Sequence, residues 1–300
     1  MIIEENNLEY VTAYENLRGL VYSPFYIGLA EGLFQEAGVE LTAKLSPAGE
    51  ETVAGAVAGR VEVSWGGPMR VMREHDKDPS SQLVCFGLAV QKDPFLIIGA
   101  KENTGFTPAN LLTKRLAVAT TAPTPWLLLQ EDLRRLGFDP SAVELTDPVD
   151  PQEALEGLNS RFDYVLAFEP WGSKAELEKR GFVLSAGARR GCLAFTSFYG
   201  PRDFLTNRRT AALALIDGLQ KSLSRINSID PAEAATKIKP WFDNFDESLL
   251  AAAIGRYQRL NLWPLDTDIT ADGFVRLKSS LISGGFIETD AAYENIVANF

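Results

Sequence analysis

Short β-rich runs alternate with helical stretches along the first two-thirds of the chain. Val39–Leu45 alternates apolar and polar residues, as a half-buried strand does, and it follows a stretch with helical spacing over Pro24–Ala37. Gly38 stands between the two, where a helix commonly ends. Repeated along the chain, this alternation predicts an α/β protein with mixed, mostly parallel sheets and helices on both faces.

The same pattern gives a set of predicted strands: Leu8–Tyr14, Val39–Leu45, Val61–Trp65, Leu83–Val90, Phe95–Ala100, Arg115–Ala119, Val143–Thr146, Tyr164–Phe168 and Cys192–Phe198. From about Arg202 onward the pattern is almost wholly helical, with helices expected at Leu205–Ile229, Pro231–Phe242, Glu247–Leu260 and Thr270–Ser283. Since no linker or low-complexity tract marks an independent domain there, we expect this helical part to pack on the rest.

Prolines suited to the first position of a helix follow four of the predicted strands. They occur in the pairs Ser23-Pro24, Gly67-Pro68, Thr124-Pro125 and Glu169-Pro170. Each pair places a helix N-terminus, with its free N–H groups, just beyond the carboxyl end of a strand. Ligands of open α/β sheets bind at that edge, so the pattern predicts a small-molecule site there.

Composition narrows the class of protein. The chain has 300 residues, 46% of them hydrophobic, which suits one large domain or two lobes. A net charge of -11 with scattered basic residues argues against nucleic-acid binding. No apolar run approaches the ~20 residues that cross a bilayer. The N-terminus lacks a secretory signal, so either a signal has been removed or the protein is cytoplasmic.

Cysteine and histidine are too few for a metal site. Cys85 and Cys192 lie in apolar stretches, which predicts two buried free thiols, and His75 ends a charged helix, which predicts a solvated side chain. We therefore expect no metal, no cofactor and no catalytic histidine or cysteine pair.

Four segments resemble, in the same order, the sulfonate-, taurine- and thiamine-precursor-binding proteins of ABC importers. They are Ser23–Leu41, Gly59–Gly67, Pro108–Val118 and Phe162–Trp171, and the likeness extends over about residues 8–285. The resemblance implies the two-lobed fold of type II periplasmic binding proteins. It also implies solute capture between the lobes by closure about two hinge strands.

The resemblance further implies how the chain is divided. Lobe one would comprise residues 1–94 plus 198–300, with the helical C-terminal part packed on it. Lobe two would comprise 95–197, and the chain would cross between the lobes near 92–97 and 193–199.

The sequence departs from the family pattern at several positions. Thr113 replaces a glycine, Phe168 stands where tryptophan is common, and Thr120–Pro123 replaces a Gly/Ser-rich loop. The last two bear on ligand identity, since both loops face the cleft in the family. Pyrimidine synthases of this fold carry a cysteine-rich motif and a histidine that are missing here, so that activity is rejected.

The ligand-binding candidates all follow strand ends. They are Glu15, Asn16, Ser23, Phe25, Tyr26, Trp65, Gly66, Gly67, Thr120, Thr121, Trp126, Phe168, Glu169 and Tyr199. Trp65 is the strongest candidate for a ligand wall. Glu15 and Glu169 could serve as anionic anchors for a planar or nitrogen-containing ligand, whereas the helix N-termini would equally accept an oxyanion.

Three functions remain open from the sequence. The first is capture of a small metabolite, aromatic or nitrogen-containing, for an importer whose permease and ATPase would be the partners, in the periplasm or another extracytoplasmic space. The second is a cytoplasmic desulfinase- or decarboxylase-like enzyme acting on an aromatic acid. Desulfinases of the fold use a cysteine just after the first strand, which is missing here, and only Cys192 could approach the cleft. The third is a ligand sensor without a transporter.

Overall fold

The computed structural model describes residues 8–298. In this range the chain forms ten strands: β1 (Glu9–Glu15), β2 (Val39–Leu45), β3 (Val63–Gly66), β4 (Leu83–Val90), β5 (Leu96–Gly99), β6 (Arg115–Val118), β7 (Glu144–Pro148), β8 (Tyr164–Ala167), β9 (Phe182–Ala186) and β10 (Thr196–Pro201).

The α-helices of the same range lie between and after these strands. They are α1 (Ser23–Ala30), α2 (Leu33–Glu36), α3 (Glu51–Val57), α4 (Met69–Lys77), α5 (Thr124–Arg135), α6 (Pro151–Glu156), α7 (Trp171–Leu177), α8 (Arg202–Asn207), α9 (Arg209–Ser228), α10 (Pro231–Ile238), α11 (Glu247–Arg259), α12 (Ala271–Ser283) and α13 (Tyr293–Ile296). None of these helices combines the length and apolar character that a membrane crossing requires.

The strands form two sheets of five strands, in the orders β2-β1-β3-β10-β4 and β7-β6-β8-β5-β9. In the first sheet β10 runs antiparallel to β3 and β4, while β1 is parallel to β2 and β3. In the second sheet β5 runs antiparallel to β8 and β9, while β6 is parallel to β7 and β8. The prediction of an α/β protein with mixed, mostly parallel sheets is confirmed.

Apolar clusters cover both faces of each sheet. One face of the first sheet packs on α1 and on the C-terminal helices α9, α10 and α11, and its other face packs on α4 and α12. The second sheet lies between α6 on one side and α5 on the other. The helical C-terminal part therefore packs on the first sheet, as expected.

The chain passes between the sheets twice, after β4 and before β10. We call the first sheet with its helices the first lobe, and the second sheet with its helices the second lobe. The limits at 94–95 and 197–198, which come from the resemblance, stay a prediction.

Several local expectations were wrong. The helix expected over Pro24–Ala37 is divided at Gly32, whose φ of 71° is left-handed. Strand β9 was missed. His75 is buried rather than solvated, and its Nε2 lies 2.8 Å from the carbonyl oxygen of Leu83. Cys85 is buried as expected, but Cys192 is exposed because β10 begins only at Thr196.

Candidate functional site

A cavity lies between the two lobes and encloses about 530 Å³, including its open mouth. Its first-lobe walls are Asn16, Leu17, Val21, Tyr22, Gly67, Met69, Arg70 and Leu277. Its remaining walls come from the crossing segments and the second lobe: Pro94, Phe95, Ala122, Thr124, Phe168 and Phe195. Residues distant in sequence therefore share one gap between the lobes.

The cavity lies at the carboxyl ends of parallel strands in both sheets. Glu15, the last residue of β1, lies opposite Trp65 of β3, so both parallel strands end at one edge of the first sheet. In the second sheet Val118, the last residue of β6, lies opposite Leu166 of β8. The loops that leave these strands at their carboxyl ends form the walls, as ligand sites of open α/β sheets do.

Polar groups of the first lobe gather at the floor of the cavity. The hydroxyl of Tyr22 donates a hydrogen bond to Oδ1 of Asn16 at 2.6 Å. A Cβ placed on Gly66 would lie 3.2 Å from that same Oδ1 and 3.3 Å from the hydroxyl of Tyr199. The Tyr199 hydroxyl is buried without a hydrogen-bond partner. Glycine at 66 therefore leaves room for Asn16 and Tyr199 to approach each other.

Both phenols of this floor keep their protons at neutral pH. Burial raises the pKa of Tyr22 to about 12, against the opposing effect of the Arg70 charge. Burial raises the pKa of Tyr199 as well, with Arg70 again opposing. Desolvation outweighs attraction because a phenolate in this position would lose its water. The Tyr22 hydroxyl donates its proton to Asn16, whereas the Tyr199 hydroxyl is available as a hydrogen-bond donor.

The two carboxylates proposed as anionic anchors do not line the cavity. Glu15 is fully buried, accepts a 2.6 Å hydrogen bond from the Tyr26 hydroxyl and forms an ion pair with Arg18. Glu169 is fully buried against Arg256 and accepts hydrogen bonds from Ser173. This corrects their assignment as anchors, because each charge is already compensated inside the protein.

The aromatic residues expected to face a ligand are divided between core and wall. Trp65 is fully buried and stacks on Phe25, with ring centroids 4.2 Å apart and ring planes within 7° of each other. Tyr26 is also fully buried. Phe168 lines the cavity and meets Phe95 edge to face, with centroids 5.4 Å apart. The aromatic wall thus comes from phenylalanines, and Trp65 lies in the core behind it.

Of the residues predicted from the sequence, the structure brings three to the cavity wall: Asn16, Gly67 and Phe168. Gly66 and Tyr199 lie next to the wall at the polar floor. The others do not line it: Glu15, Ser23, Phe25, Tyr26, Trp65, Thr120, Thr121, Trp126 and Glu169.

Two of those residues have a clear alternative role. Ser23 donates its hydroxyl proton to the carbonyl oxygen of Leu20 at 2.7 Å, so it stabilises the turn before α1. Trp126 is half-buried against the apolar cluster beneath the second sheet. Arg70 and Tyr22 were missed. Arg70 lies in the first turn of α4, after Gly66-Gly67-Pro68, so the strand-end argument would have found it had it been extended by three residues beyond Gly67.

The two lobes also contact each other on both sides of the cavity. On one side Arg256 of α11 forms ion pairs with Glu169 and with Glu176 of α7. On the other side the hydroxyl of Ser283 in α12 donates to Oε2 of Glu131 in α5 at 3.0 Å. These contacts join the two lobes directly.

Comparison with known proteins fits this architecture. YtlA of Bacillus subtilis (strain 168), named as a binding protein, is 20% identical over 98% of this chain and 89% of its own length. The periplasmic aliphatic sulphonate binding protein SsuA of Escherichia coli superposes with a TM-score of 0.77 at 12% identity, covering 98% of this chain and 92% of SsuA. DSZB, crystallised with biphenyl-2-sulfinic acid, superposes with a TM-score of 0.69 at 12% identity, covering 97% of this chain and 96% of DSZB.

These likenesses show the two-lobed fold of periplasmic binding proteins, which confirms the predicted fold. A family model described as NMT1/THI5 like matches residues 20–233, most of the chain. The chain therefore belongs to the NMT1/THI5-like family.

Proposed function

We propose that this protein captures a small molecule between its two lobes and delivers it to an ABC importer. The observation that carries the proposal is the cavity at the strand ends, whose walls come from both lobes and both crossing segments. A solute held there contacts both halves at once, so its binding energy stabilises the closed arrangement. The permease and ATPase of the importer are the proposed partners, and the proposed location is the periplasm or another extracytoplasmic space.

The named relatives support capture and delivery. SsuA of Escherichia coli is a periplasmic binding protein for aliphatic sulphonates, and YtlA is named as a binding protein. Both likenesses cover nearly the whole of this chain, so they include the segments on both sides of the cavity.

The residues around the cavity favour capture over the enzymatic alternative. DSZB is a desulfurization enzyme, and the form crystallised with biphenyl-2-sulfinic acid has a cysteine replaced by serine. In this chain no cysteine follows β1 before α1, and Cys192 does not line the cavity. The lining groups are apolar side chains, an amide, two hydroxyls and one guanidinium, which can hold and orient a solute.

A metabolite screen by thermal shift tests the proposal. A solute at 100 times its dissociation constant adds ~2.7 kcal/mol of stability, so a true ligand will raise the melting temperature clearly. Ala122→Trp places an indole in the cavity wall and should abolish the shift, whereas Ala58→Trp on an exposed position should not. A solute that stabilises the Ala122→Trp variant as strongly as the unmodified protein would contradict capture in the cleft.

A second measurement addresses delivery. Cells that lack the gene should lose uptake of the solute found in the screen, and a copy carrying Ala122→Trp should not restore it. Normal uptake without the gene would contradict a transport role.

A further inference from the structure

We propose that Arg70 anchors an acidic group of the ligand, so that the solute is a small organic acid with an apolar body. The inference rests on the proposed function and specifies its substrate class. The sequence leaves two kinds of ligand open, a nitrogen-containing solute held by two carboxylates and an oxyanion held by helix N-termini, and Arg70 favours the anion.

Arg70 is the charged residue among those that line the cavity. Its side chain is half-buried, Nε donates to the carbonyl oxygen of Gly49 at 3.1 Å, and Nη1 lies 3.6 Å from the sulfur of Met69. Within residues 8–298 it forms no ion pair. A guanidinium in a partly enclosed gap with no carboxylate partner favours an anion beside it.

The neighbouring polar groups complete an anion site. Asn16 uses its Oδ1 to accept from Tyr22, which leaves its amide nitrogen to donate. The Tyr199 hydroxyl, on a side chain that is fully buried, has no partner and lies beside Asn16 at Gly66. Since burial keeps the phenol protonated, it donates as well. A buried donor without a partner is costly, and an acidic oxygen would satisfy it.

The N-termini of two helices add to the positive electrostatic potential in the cavity. Thr124 is the first residue of α5, a helix of 12 residues, and it lines the cavity. Met69 is the first residue of α4 and lines it too. Both helices therefore direct their partly positive ends towards the gap, on opposite lobes.

The other half of the cavity suits an apolar body. Phe95, Phe168 and Phe195 line it, and the rings of Phe95 and Phe195 lie 6.4 Å apart at an angle of 48°. Aromatic faces bind rings and alkyl groups without requiring hydrogen bonds. An acid with a ring or short alkyl chain would thus occupy both halves, whereas an amine of the same shape would meet the positive charge of Arg70.

Four probes with one ring and different head groups test the inference. They are benzoate, benzenesulfonate, benzamide and benzylamine, each at about 10 mM in thermal shift and then by calorimetry. That concentration detects a ligand whose dissociation constant is about 1 mM. We expect stabilisation by at least one of the two acids and none by the amide or the amine. Comparing benzoate with benzenesulfonate distinguishes a carboxylate from a sulfonate as the natural head group.

Substitutions of Arg70 provide a second test of the anion anchor. Arg70→Gln should weaken binding of the acid roughly tenfold or more, because a hydrogen bond to a charged group is lost. Arg70→Lys keeps the charge and should retain most of the affinity. Arg60→Gln, on an exposed arginine paired with Glu51, removes the same charge elsewhere and should change nothing. The melting temperature of each variant without ligand confirms that it folds.

The possible outcomes separate the two proposals. Equal binding of the amide or the amine, or unchanged acid binding by Arg70→Gln, would overturn the anion anchor and leave solute capture standing. Binding by none of the four probes would overturn the anion anchor, and solute capture would then depend on the metabolite screen alone.

Discussion

Glu169 of the second lobe forms an ion pair with Arg256 of the first, with Oε1 of the carboxylate 2.5 Å from Nε of the guanidinium. Glu169 has no exposed surface. Burial raises the pKa of its carboxyl, and the charge of Arg256 opposes that rise. The next residue towards the N-terminus, Phe168, lines the cavity. The pair therefore joins the lobes one residue away from the ligand wall.

Substituting Arg256 should lower the stability of the protein. Arg256→Ala would leave the Glu169 carboxylate buried without its partner, which we expect to lower the free energy of unfolding by about 3–5 kcal/mol. Urea unfolding followed by circular dichroism measures the change. Arg259→Ala, on an exposed arginine one turn further along α11, is the matched control and should have little effect. Equal losses for the two variants would mean that the interlobe pair does not stabilise the fold.

Asp93, in the first crossing segment, should make stability depend on pH. Its carboxyl is buried, accepts a hydrogen bond from the Phe95 amide at 3.0 Å and pairs with Arg190. Burial raises its pKa from 3.8 to about 6. The folded protein thus holds this proton more tightly than the unfolded chain does. This contribution is complete below the unfolded pKa and falls by about 3 kcal/mol as pH rises through the folded pKa.

The Asp93→Asn variant tests that dependence, because asparagine can still accept from the Phe95 amide but does not titrate. Its free energy of unfolding should lack the decline that the unmodified protein shows between pH 4 and 6. Asp203→Asn, at an exposed position, should keep the decline. Parallel pH profiles for the unmodified protein and Asp93→Asn would contradict the assignment to Asp93.

Trp65 should behave as a core residue. Trp65→Ala removes the ring that stacks on Phe25 and should cost about 3–5 kcal/mol of unfolding free energy. Trp65→Phe keeps an aromatic ring there and removes the buried Nε1, which has no partner, so it should cost much less. Chemical unfolding gives both values. If Trp65→Phe instead abolished ligand binding while leaving stability unchanged, the indole would contact the solute, as the sequence had suggested.

The two thiols should differ sharply in reactivity. Burial raises the pKa of Cys85 to about 12, whereas Cys192 is exposed. A thiol reagent such as DTNB should therefore modify one thiol rapidly in the folded protein and both in denaturant. Cys192→Ser should abolish the rapid reaction, and Cys85→Ser should preserve it. Rapid reaction of both thiols in the folded protein would show that the first sheet opens.

Hydrophobic pattern was enough to find most of the fold. Val39–Leu45 and Leu83–Val90 are strands with the predicted bounds, because each is a β-rich run with a clear turn beside it. Strand β9 was missed because Phe182–Ala186 is short and half-exposed, without strict alternation. Its pairing with β5 comes from the tertiary structure, which a local pattern does not contain.

The site was only partly predictable, for a different reason. Position after a strand end selected Asn16, Gly67 and Phe168, which line the cavity, and their contact with a ligand stays a prediction. The same rule also selected Glu15 and Glu169, whose charges are compensated by Arg18 and Arg256. Arg256 is distant in sequence from Glu169, so this ion pair depends on how the two lobes contact each other. The positions of strand ends in the sequence do not contain that information.

The antiparallel strand β10 has a consequence for synthesis of the protein on the ribosome. Gly66 pairs with Ser197, so the first sheet lacks the strand between β3 and β4 until the entire second sheet has been translated. The strands of the second sheet are contiguous in the chain, from Leu96 to Ala186. The order of emergence thus allows the second half to assemble while the nascent chain still grows, and the first half closes only when its missing strand arrives.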